Sequence, residues 1–439
     1  MITVNSSLNS SLSGCRNHDG STTAQQHIQK KGADFDQVGY MAPDKYTLVV
    51  TLEKPTSYFL TMLTYSCFLP LCSIFYEARG GGYGIDSYWT GDYSFGWSTD
   101  VYSQVYCGPF LLQKLNAGEE IVCVRNENFF ANDRTMLDSI TWRYDAGASA
   151  EATYQKVVNG EYAGMALTAG SGTLDMAKAD GLFDDYAYIS ETTSTTYFGA
   201  LNLNRGTFAL ENGAVASPKT AQQKADTHAA MQSKAFRQAL QFAFDKASQN
   251  ATSRGEDLKY TNLRNMYTHP EFVSLSKAVT LEGKTFSAGT FYGEMVQYYL
   301  ELLGSPVRVE DGIDGWYHPE LARARLAQAR AELGDSVSWP IQIDVMYFAL
   351  SDANTAQAQA YKDSIEGTLG AENVTVNMVP AYNSNDYYAS GYRASNGAAG
   401  NFDMFYGSGW GPDYGDPSTY LDTFLGHGVG YMTKTIGLF

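Results

Sequence analysis

The chain has 439 residues, of which 44% are hydrophobic, and this length exceeds what one hydrophobic core usually serves, so two or three lobes are expected. The 30 Lys and Arg residues stand against 47 Asp and Glu residues, which gives a formal net charge of −17. Because this charge repels nucleic acid and anionic lipid, a nucleic-acid partner is excluded.

The cysteines and the N-terminal residues give no sign of a metal site or a membrane span. The five cysteines form no CxxC pair and match no zinc-site spacing. Cys67 and Cys72 enclose an apolar run and are interpreted as buried thiols, with a disulfide as the alternative. No run of about 18 apolar residues is present. LSGC at residues 12–15 has the form of a lipoprotein cleavage box, but the residues before it are too polar for a signal peptide, so we treat the match as accidental.

The first half of the chain is predicted to be mainly β-structure. Residues 1–35 are polar and without a periodic apolar face, which is typical of loosely ordered chain. YTLVVTL alternates as a strand after Pro43 and Asp44, and the apolar residues before Pro70 predict a short helix and a buried turn. The glycine-rich run at 80–96 predicts a surface loop. CGPFLLQKL, EEIVCVRN and SITWRY then predict an antiparallel meander, followed by a helix in AEATYQKVVNG.

The second half is predicted to be α/β. YFGALNLN reads as a strand, and FRQALQFAFDKA places apolar residues from Phe236 to Ala247 at the spacing of one core-facing helix. A further helix begins at Pro319 and stops at Gly334. The segments IQIDVMY, TAQAQAYKDSIEGTL and NVTVNMV predict strand, helix and strand, hence a parallel pair.

Four segments, taken in order, resemble the peptide-binding proteins of ABC importers, the oligopeptide and dipeptide type of extracytoplasmic solute-binding protein. They are DKYTLVVTLEKPTSYF, the meander with its trailing YQKVVNGEYAGMAL, KAFRQALQFAFDKA, and FDMFYGSGWGPDYGDPSTYL. Four segments in the family's order are far more specific than any one of them. The family is normally longer at both ends, so the resemblance also implies an incomplete chain. A second, smaller departure is Cys107, which stands where family members commonly have a small polar residue or glycine.

The resemblance implies an α/β, two-lobed fold of the periplasmic-binding-protein type, class II with three domains, in which mixed sheets carry flanking helices. Residues 36–105 correspond to part of the middle domain of the first lobe and 106–195 to part of its first domain. Residues 196–439 correspond to the second lobe, truncated before its return to the first. The implied protein is a monomer outside the cytoplasm, in the periplasm or on the outer face of the membrane. It has a lipid anchor on a missing N-terminal segment, and ABC permease subunits as partners.

The stretch GWGPDYGDPSTYLDTF at 409–424 carries the candidate site. An extended peptide has unpaired N–H and C=O groups that a strand edge can satisfy whatever the peptide's sequence, and Gly409 and Gly411 would leave the backbone open to it. By resemblance, Asp413 is the carboxylate that anchors the cationic amino terminus of the peptide. Four further residues follow from the resemblance: the flanking rings Trp410 and Tyr414, and the groove-lining Tyr197 and Asn202.

Alternative interpretations remain for several of these residues. Asp416 is favoured as a helix cap, and strand placement alone explains Tyr197 and Asn202 equally well. Asp413 with Asp416 or Asp422 could form the carboxylate pair of a glycoside hydrolase, but no nucleophile motif accompanies them, so we expect no enzyme and no catalytic residue. A same-fold carrier of sugar, nickel chelate or signalling peptide is the other alternative. No metal and no cofactor are expected.

Overall fold

The computed structural model describes residues 39–52, 55–65, 68–81, 94–96, 100–103, 105–145, 147–189, 195–411, 423–424, 432–433 and 436–438. Two compact units divide the chain between Ala148 and Ser149. The domain boundaries expected near 105 and 195 stay predictions. The predicted loop at 80–96 falls largely outside the described residues.

The first unit contains a hairpin and a three-stranded antiparallel sheet. Its elements are β1 (Tyr40–Asp44), β2 (Thr47–Val50), α1 (Phe59–Met62), α2 (Ser73–Ala78), β3 (Phe110–Asn116), β4 (Glu120–Arg125) and β5 (Ser139–Arg143). The sheet order β3-β4-β5 confirms the predicted meander. The predicted strand after Asp44 is confirmed as β2, and the Asp44 carboxylate accepts a hydrogen bond from the Tyr46 amide in the turn.

Two predictions for the first unit were wrong. The turn before Pro70 is not buried, because Leu69 and Leu71 are each 60% exposed. Cys72 is a free, exposed thiol and not a buried one. Cys67 lies outside the described residues. An apolar run is therefore a weak guide to burial where too few neighbouring elements cover it.

The second unit contains a four-stranded mixed sheet with helices on it. Its strands are β6 (Thr196–Leu201), β7 (Val279–Leu281), β8 (Lys284–Phe286), β9 (Ile341–Phe348), β10 (Val374–Ala381) and β11 (Met404–Trp410). Its helices are α3 (Ala150–Val158), α4 (Thr173–Ala179), α5 (Phe183–Tyr186), α6 (Ala221–Gln232), α7 (Lys234–Ala243), α8 (Lys246–Arg254), α9 (Tyr292–Leu302), α10 (Pro319–Leu333), α11 (Asp352–Leu369) and α12 (Ser384–Ser390).

Strand order in the large sheet is β10-β9-β11-β6, with β7 and β8 in a separate hairpin. β9 pairs in parallel with β10, which confirms the predicted strand, helix and strand, and β9 also pairs in parallel with β11. β6 runs antiparallel to β11. β9 is buried on both faces, as in covered parallel sheets: Ile341, Ile343 and Val345 join the core under α7, α10 and α11, and Met346 joins the opposite cluster.

The helix predicted over Phe236–Ala247 is two helices. The backbone at Phe244 is extended, with φ −82° and ψ 108°, and α7 ends before it. Asp245 then caps α8, its side chain accepting a hydrogen bond from the Ser248 amide. The apolar spacing continues across the break because Ala247 is still buried. Periodicity alone therefore missed a cap that redirects the chain.

A network of four buried charged side chains ties the strands of this sheet to the segments beside it. Arg205 lies 2.7 Å from the Asp344 carboxylate on β9 and 3.1 Å from the Asp403 carboxylate just before β11. Lys219 contacts both carboxylates, at 3.7 Å from Asp344, and all four side chains are at most 4% exposed. Burial opposes ionisation of Asp344, but Lys219 and Arg205 outweigh it and hold the pKa of this carboxyl below its usual value. The network is electrically balanced, two cations against two anions.

Replacing Lys219 with methionine would leave two buried carboxylates facing one arginine. An unbalanced buried charge is strongly unfavourable, so we expect Lys219→Met to lower the free energy of unfolding by about 3 to 5 kcal/mol. The matched control is Lys234→Met at an exposed position that begins α7. Denaturant unfolding measures both, and equal stability of the two variants would contradict a balanced network.

Candidate functional site

A cavity of about 600 Å³ opens at one edge of the large sheet. Its wall includes Tyr347 and Phe348 at the carboxyl end of β9, and Tyr406 and Gly407 on β11. Tyr197 also lines it, because antiparallel β6 begins at the edge where β11 ends. Crevices at the carboxyl ends of parallel strands are the usual ligand sites of open α/β sheets. The cavity is therefore the candidate site of this unit.

β11 is paired with β6 further along its length than it is paired with β9. Its parallel pairing with β9 covers Met404 and Phe405, whereas its pairing with β6 continues as far as Trp410. Between Phe405 and Ser408 the register shifts, and Gly407 adopts φ +79°, which indicates a bulge. From Tyr406 onward, the described residues show β11 paired as a strand with β6 alone. This leaves one margin of the strand uncovered by sheet beside the cavity.

Two tyrosines from α12 and the turn after it support this part of β11. The Tyr387 hydroxyl donates to the carbonyls of Tyr406 and Gly407, at 3.2 and 3.4 Å. The Tyr392 hydroxyl lies 2.5 Å from the Ser408 hydroxyl and accepts a hydrogen bond from the Gly409 amide at 3.3 Å. Burial raises the pKa of Tyr387, so this phenol stays protonated and can donate. Sequence analysis missed both residues, although the aromatic spacing in DYYASGY carried a signal for them.

The cavity wall also carries basic side chains. Lys246 donates to the Arg264 carbonyl at 3.0 Å and to Asn265 Oδ1 at 2.5 Å, and lies 3.7 Å from the Asp314 carboxylate. Burial lowers the pKa of Lys246, with Asp314 opposing the shift, and burial raises the pKa of Asp314, with Lys246 opposing it. Each charge of this pair therefore depends on the other. Sequence analysis did not predict any of these groups.

Arg264 is held in the same manner. Its Nη1 donates to the Thr196 hydroxyl at 2.9 Å, and its Nε lies 3.4 Å from Asp311 Oδ2. Burial raises the pKa of Asp311, while the Arg264 and His269 side chains oppose the shift. The guanidinium joins the start of β6 to the loop that contains Asp311, and so fixes this wall of the cavity.

The predicted site residues on β6 and β11 do come together at this edge. Tyr197 is 75% exposed and lies opposite Gly409 in the strand register. Its ring covers Gly409 so closely that an added Cβ would lie 2.8 Å from Tyr197 Cδ1. Trp410 and Gly411 follow and are partly buried. Asp413 and Tyr414, like Asp416 and Asp422, lie outside the described residues.

Two of the predicted ligand contacts have internal partners instead. We expected the Gly409 amide to be open, but it donates to Tyr392, and the glycine is required by the close approach of Tyr197. Asn202 was predicted to line the groove, yet it is 2% exposed. Its amide donates to the Gly397 carbonyl and its oxygen accepts from the Asn204 amide, so the side chain joins two segments of its own chain. A polar strand residue can be fully used by its own chain.

The part of the chain that the structure describes contains neither a metal-site candidate nor a membrane-spanning helix. No group of three or more His, Cys, Asp or Glu side chains there could hold a metal ion. No described helix has both the length and the apolar character needed to cross a bilayer.

Comparison with protein families identifies the chain. A family model described as bacterial extracellular solute-binding proteins, family 5, matches residues 9–431. The chain belongs to this family. Family 5 proteins are solute-binding proteins and not enzymes, so the glycoside hydrolase alternative is set aside.

Individual family 5 relatives support the same assignment. The chain is 32% identical to the oligopeptide-binding protein AmiA of Streptococcus pneumoniae over 400 residues, which cover 90% of this chain and 56% of AmiA. It is 31% identical to AliB, an oligopeptide-binding protein of the same species, over 94% of this chain and 58% of AliB. The chain therefore spans a little over half the length of these relatives.

Solved structures show the fold. The substrate-binding domain of an oligopeptide ABC transporter from Bacillus anthracis matches 94% of this chain and 63% of its own, with a TM-score of 0.54 and 20% identity. The predicted fold class is thereby confirmed: mixed sheets with flanking helices, as in class II peptide-binding proteins.

The tyrosine support of β11 can be tested by removing one hydroxyl. Tyr392→Phe would leave the buried Ser408 hydroxyl and the Gly409 amide without this partner, and we expect unfolding to become easier by about 1 to 3 kcal/mol. Tyr388→Phe is the control, since that ring is 41% exposed and lies on α12. Thermal unfolding in parallel is the measurement, and a Tyr392→Phe protein as stable as the control would show that the hydroxyl does not support the strand.

Proposed function

We propose that this chain is the ligand-binding part of the substrate-binding component of an oligopeptide ABC importer. It binds an extended peptide at the end of β11, beyond the residues that Tyr387 and Tyr392 hold. The observation that carries the proposal is the pairing of β11, which continues with β6 after its pairing with β9 has ended. The oligopeptide-binding names of AmiA and AliB support the same class of ligand.

Backbone pairing explains how one site can accept many sequences. Each peptide N–H or C=O removed from water without a partner costs about 1 to 3 kcal/mol, and a strand margin supplies those partners whatever the side chains are. In our proposal the backbone at Gly411, directly after β11, provides them, while Gly409 and Asn202 support the site from within. Tyr197, which is mostly exposed, offers its ring to ligand side chains.

The peptide's amino terminus requires a fixed negative charge. We assign that role to Asp413, two residues after Gly411, with Tyr414 and Trp410 as flanking rings. An ammonium group buried without a counter-ion would be strongly disfavoured, so this carboxylate sets one end of the ligand. The remaining parts of the proposal follow from the family: closure of the protein on its ligand, delivery to membrane permease subunits, action outside the cytoplasm with a lipid anchor, and a monomeric state.

The class of ligand can be tested directly by native mass spectrometry of the protein as purified. We expect bound masses that fragment into short peptides and that are released by mild denaturation. Bound sugars or metal chelates in place of peptides would contradict the proposal and favour another carrier of the same fold.

The amino-terminal anchor can be tested with a substitution and a matched ligand. Asp413→Ala should weaken peptide binding by about 2 kcal/mol or more, because the ligand ammonium loses its partner. Acetylating the peptide's amino group should weaken binding to the unsubstituted protein by a similar amount and change little in the variant. The control is Asp335→Ala at an exposed position. Calorimetry that shows unchanged affinity for Asp413→Ala would remove this residue from the anchoring role.

A further inference from the structure

The charge of the cavity wall is opposite to that of the chain. Asp and Glu outnumber Lys and Arg by 47 to 30 in the sequence, so a wall of average composition would be acidic. The described residues that line the cavity instead include Lys246, Arg254 and Arg264, and no Asp, Glu or His among them. A wall of one sign attracts ligand groups of the other sign, and does so more strongly within a recess.

Two of these cations are already committed to the protein. Lys246 is held by the Arg264 carbonyl, Asn265 and Asp314, and Arg264 is held by Thr196 and Asp311. Their charges are largely balanced by carboxylates behind the wall. They shape the cavity and contribute little net charge to it.

Arg254, the last residue of α8, is different. It forms no ion pair or hydrogen bond with any residue in the described ranges, and it is only partly buried. The acidic residues that follow it are occupied elsewhere: Glu256 pairs with Lys259 at 2.9 Å, and Asp257 pairs with Lys178 at 3.1 Å. Among the residues that the structure describes, no carboxylate therefore compensates the positive charge of Arg254 at the cavity wall.

We propose that Arg254 and the cavity form a subsite for a carboxylate of the bound peptide. The guanidinium fork matches a carboxylate with two parallel hydrogen bonds, which makes arginine well suited to this group. Gln357, whose side chain forms no hydrogen bond to the described residues, adds a neutral donor to the wall. The carboxylate comes either from an Asp or Glu side chain or from the peptide's C-terminus.

The subsite deepens the proposed function and rests on it. Main-chain pairing along β11 does not distinguish sequences, so selectivity must come from pockets beside it. Tyr197, whose ring the proposal places against ligand side chains, also lies in the wall of this cavity. A side chain or chain end of the peptide that points there enters a space whose uncompensated charge is positive. The selected ligands are peptides with an acidic group.

The test uses the full chain and a matched set of hexapeptides with free amino termini. Each position after the first carries Glu in one peptide and Gln in its counterpart, and every peptide is made with a free and with an amidated C-terminus. We expect one position, or the C-terminus, at which the charged form binds about tenfold tighter than the neutral form in calorimetry. A preference at an inner position identifies a side-chain carboxylate, and a preference for the free end identifies the C-terminus.

Substitution then assigns the preference to the residue. Arg254→Gln should abolish it, Arg254→Lys should retain part of it, and Arg308→Gln at an exposed arginine outside the cavity should leave it intact. Thermal unfolding shows whether each variant is folded. If Arg254→Gln does not fold, Arg254→Lys still tests the role of the guanidinium group.

Two results would overturn the inference while the proposed function stands: peptide binding without any preference for charge, or a preference that survives in Arg254→Gln. Failure of every peptide to bind would overturn the proposed function, and this inference with it.

Discussion

The site depends on the unequal pairing of one strand. β11 pairs with β9 over two residues and with β6 as far as Trp410, so its later residues have a sheet partner on one side only, and Tyr406 and Gly407 line the cavity. Everything else at this edge stabilises that arrangement. The bulge at Gly407 redirects the strand, Tyr387 and Tyr392 hold the bulge from α12 and its following turn, and Tyr197 covers Gly409 from the neighbouring strand.

The charged side chains of the second unit fall into two groups with different roles. The buried group of Arg205, Lys219, Asp344 and Asp403 is balanced, and it joins segments that are far apart in sequence. Around the cavity, Asp314 balances the charge of Lys246 and Asp311 balances that of Arg264, whereas no carboxylate in the described ranges pairs with Arg254. A balanced buried network supports a single arrangement of strands, whereas an uncompensated charge at a recess remains available to a ligand.

Sequence reasoning predicted the regular elements whose signals are local. The parallel pair β9 and β10, the meander β3-β4-β5, and the helix that begins at Pro319 all follow from alternation, periodicity and end signals. It failed where a long-range contact decides. Asn202 donates to the carbonyl of Gly397, 195 residues along the chain, and the exposure of Leu69 depends on neighbouring elements that periodicity does not report. The break at Phe244 is a separate case, because the Asp245 cap is a local signal that the continuing apolar spacing concealed.

The candidate site was predictable in part for the same reason. The motif around Gly409 and Trp410 and the strand near Tyr197 could be named as site segments from the sequence and its resemblance to a family, but their pairing with each other is a finding of the structure. The internal partner of Gly409 could not, since Tyr392 reaches it from a separate segment. The sequence could not identify Lys246 and Arg254 as site residues. Both lie on α8, and the cavity that they line is formed by segments that are distant in sequence.

The central claim is that this lobe recognises the main chain of a peptide. It is tested most directly by calorimetry with one peptide that the protein binds and a series of its variants, each with a single backbone amide N-methylated. The account predicts that N-methylation at alternate positions near the amino terminus weakens binding about tenfold each, because each lost donor was paired with the strand margin. Affinities that follow side-chain identity and are unaffected by N-methylation would contradict it.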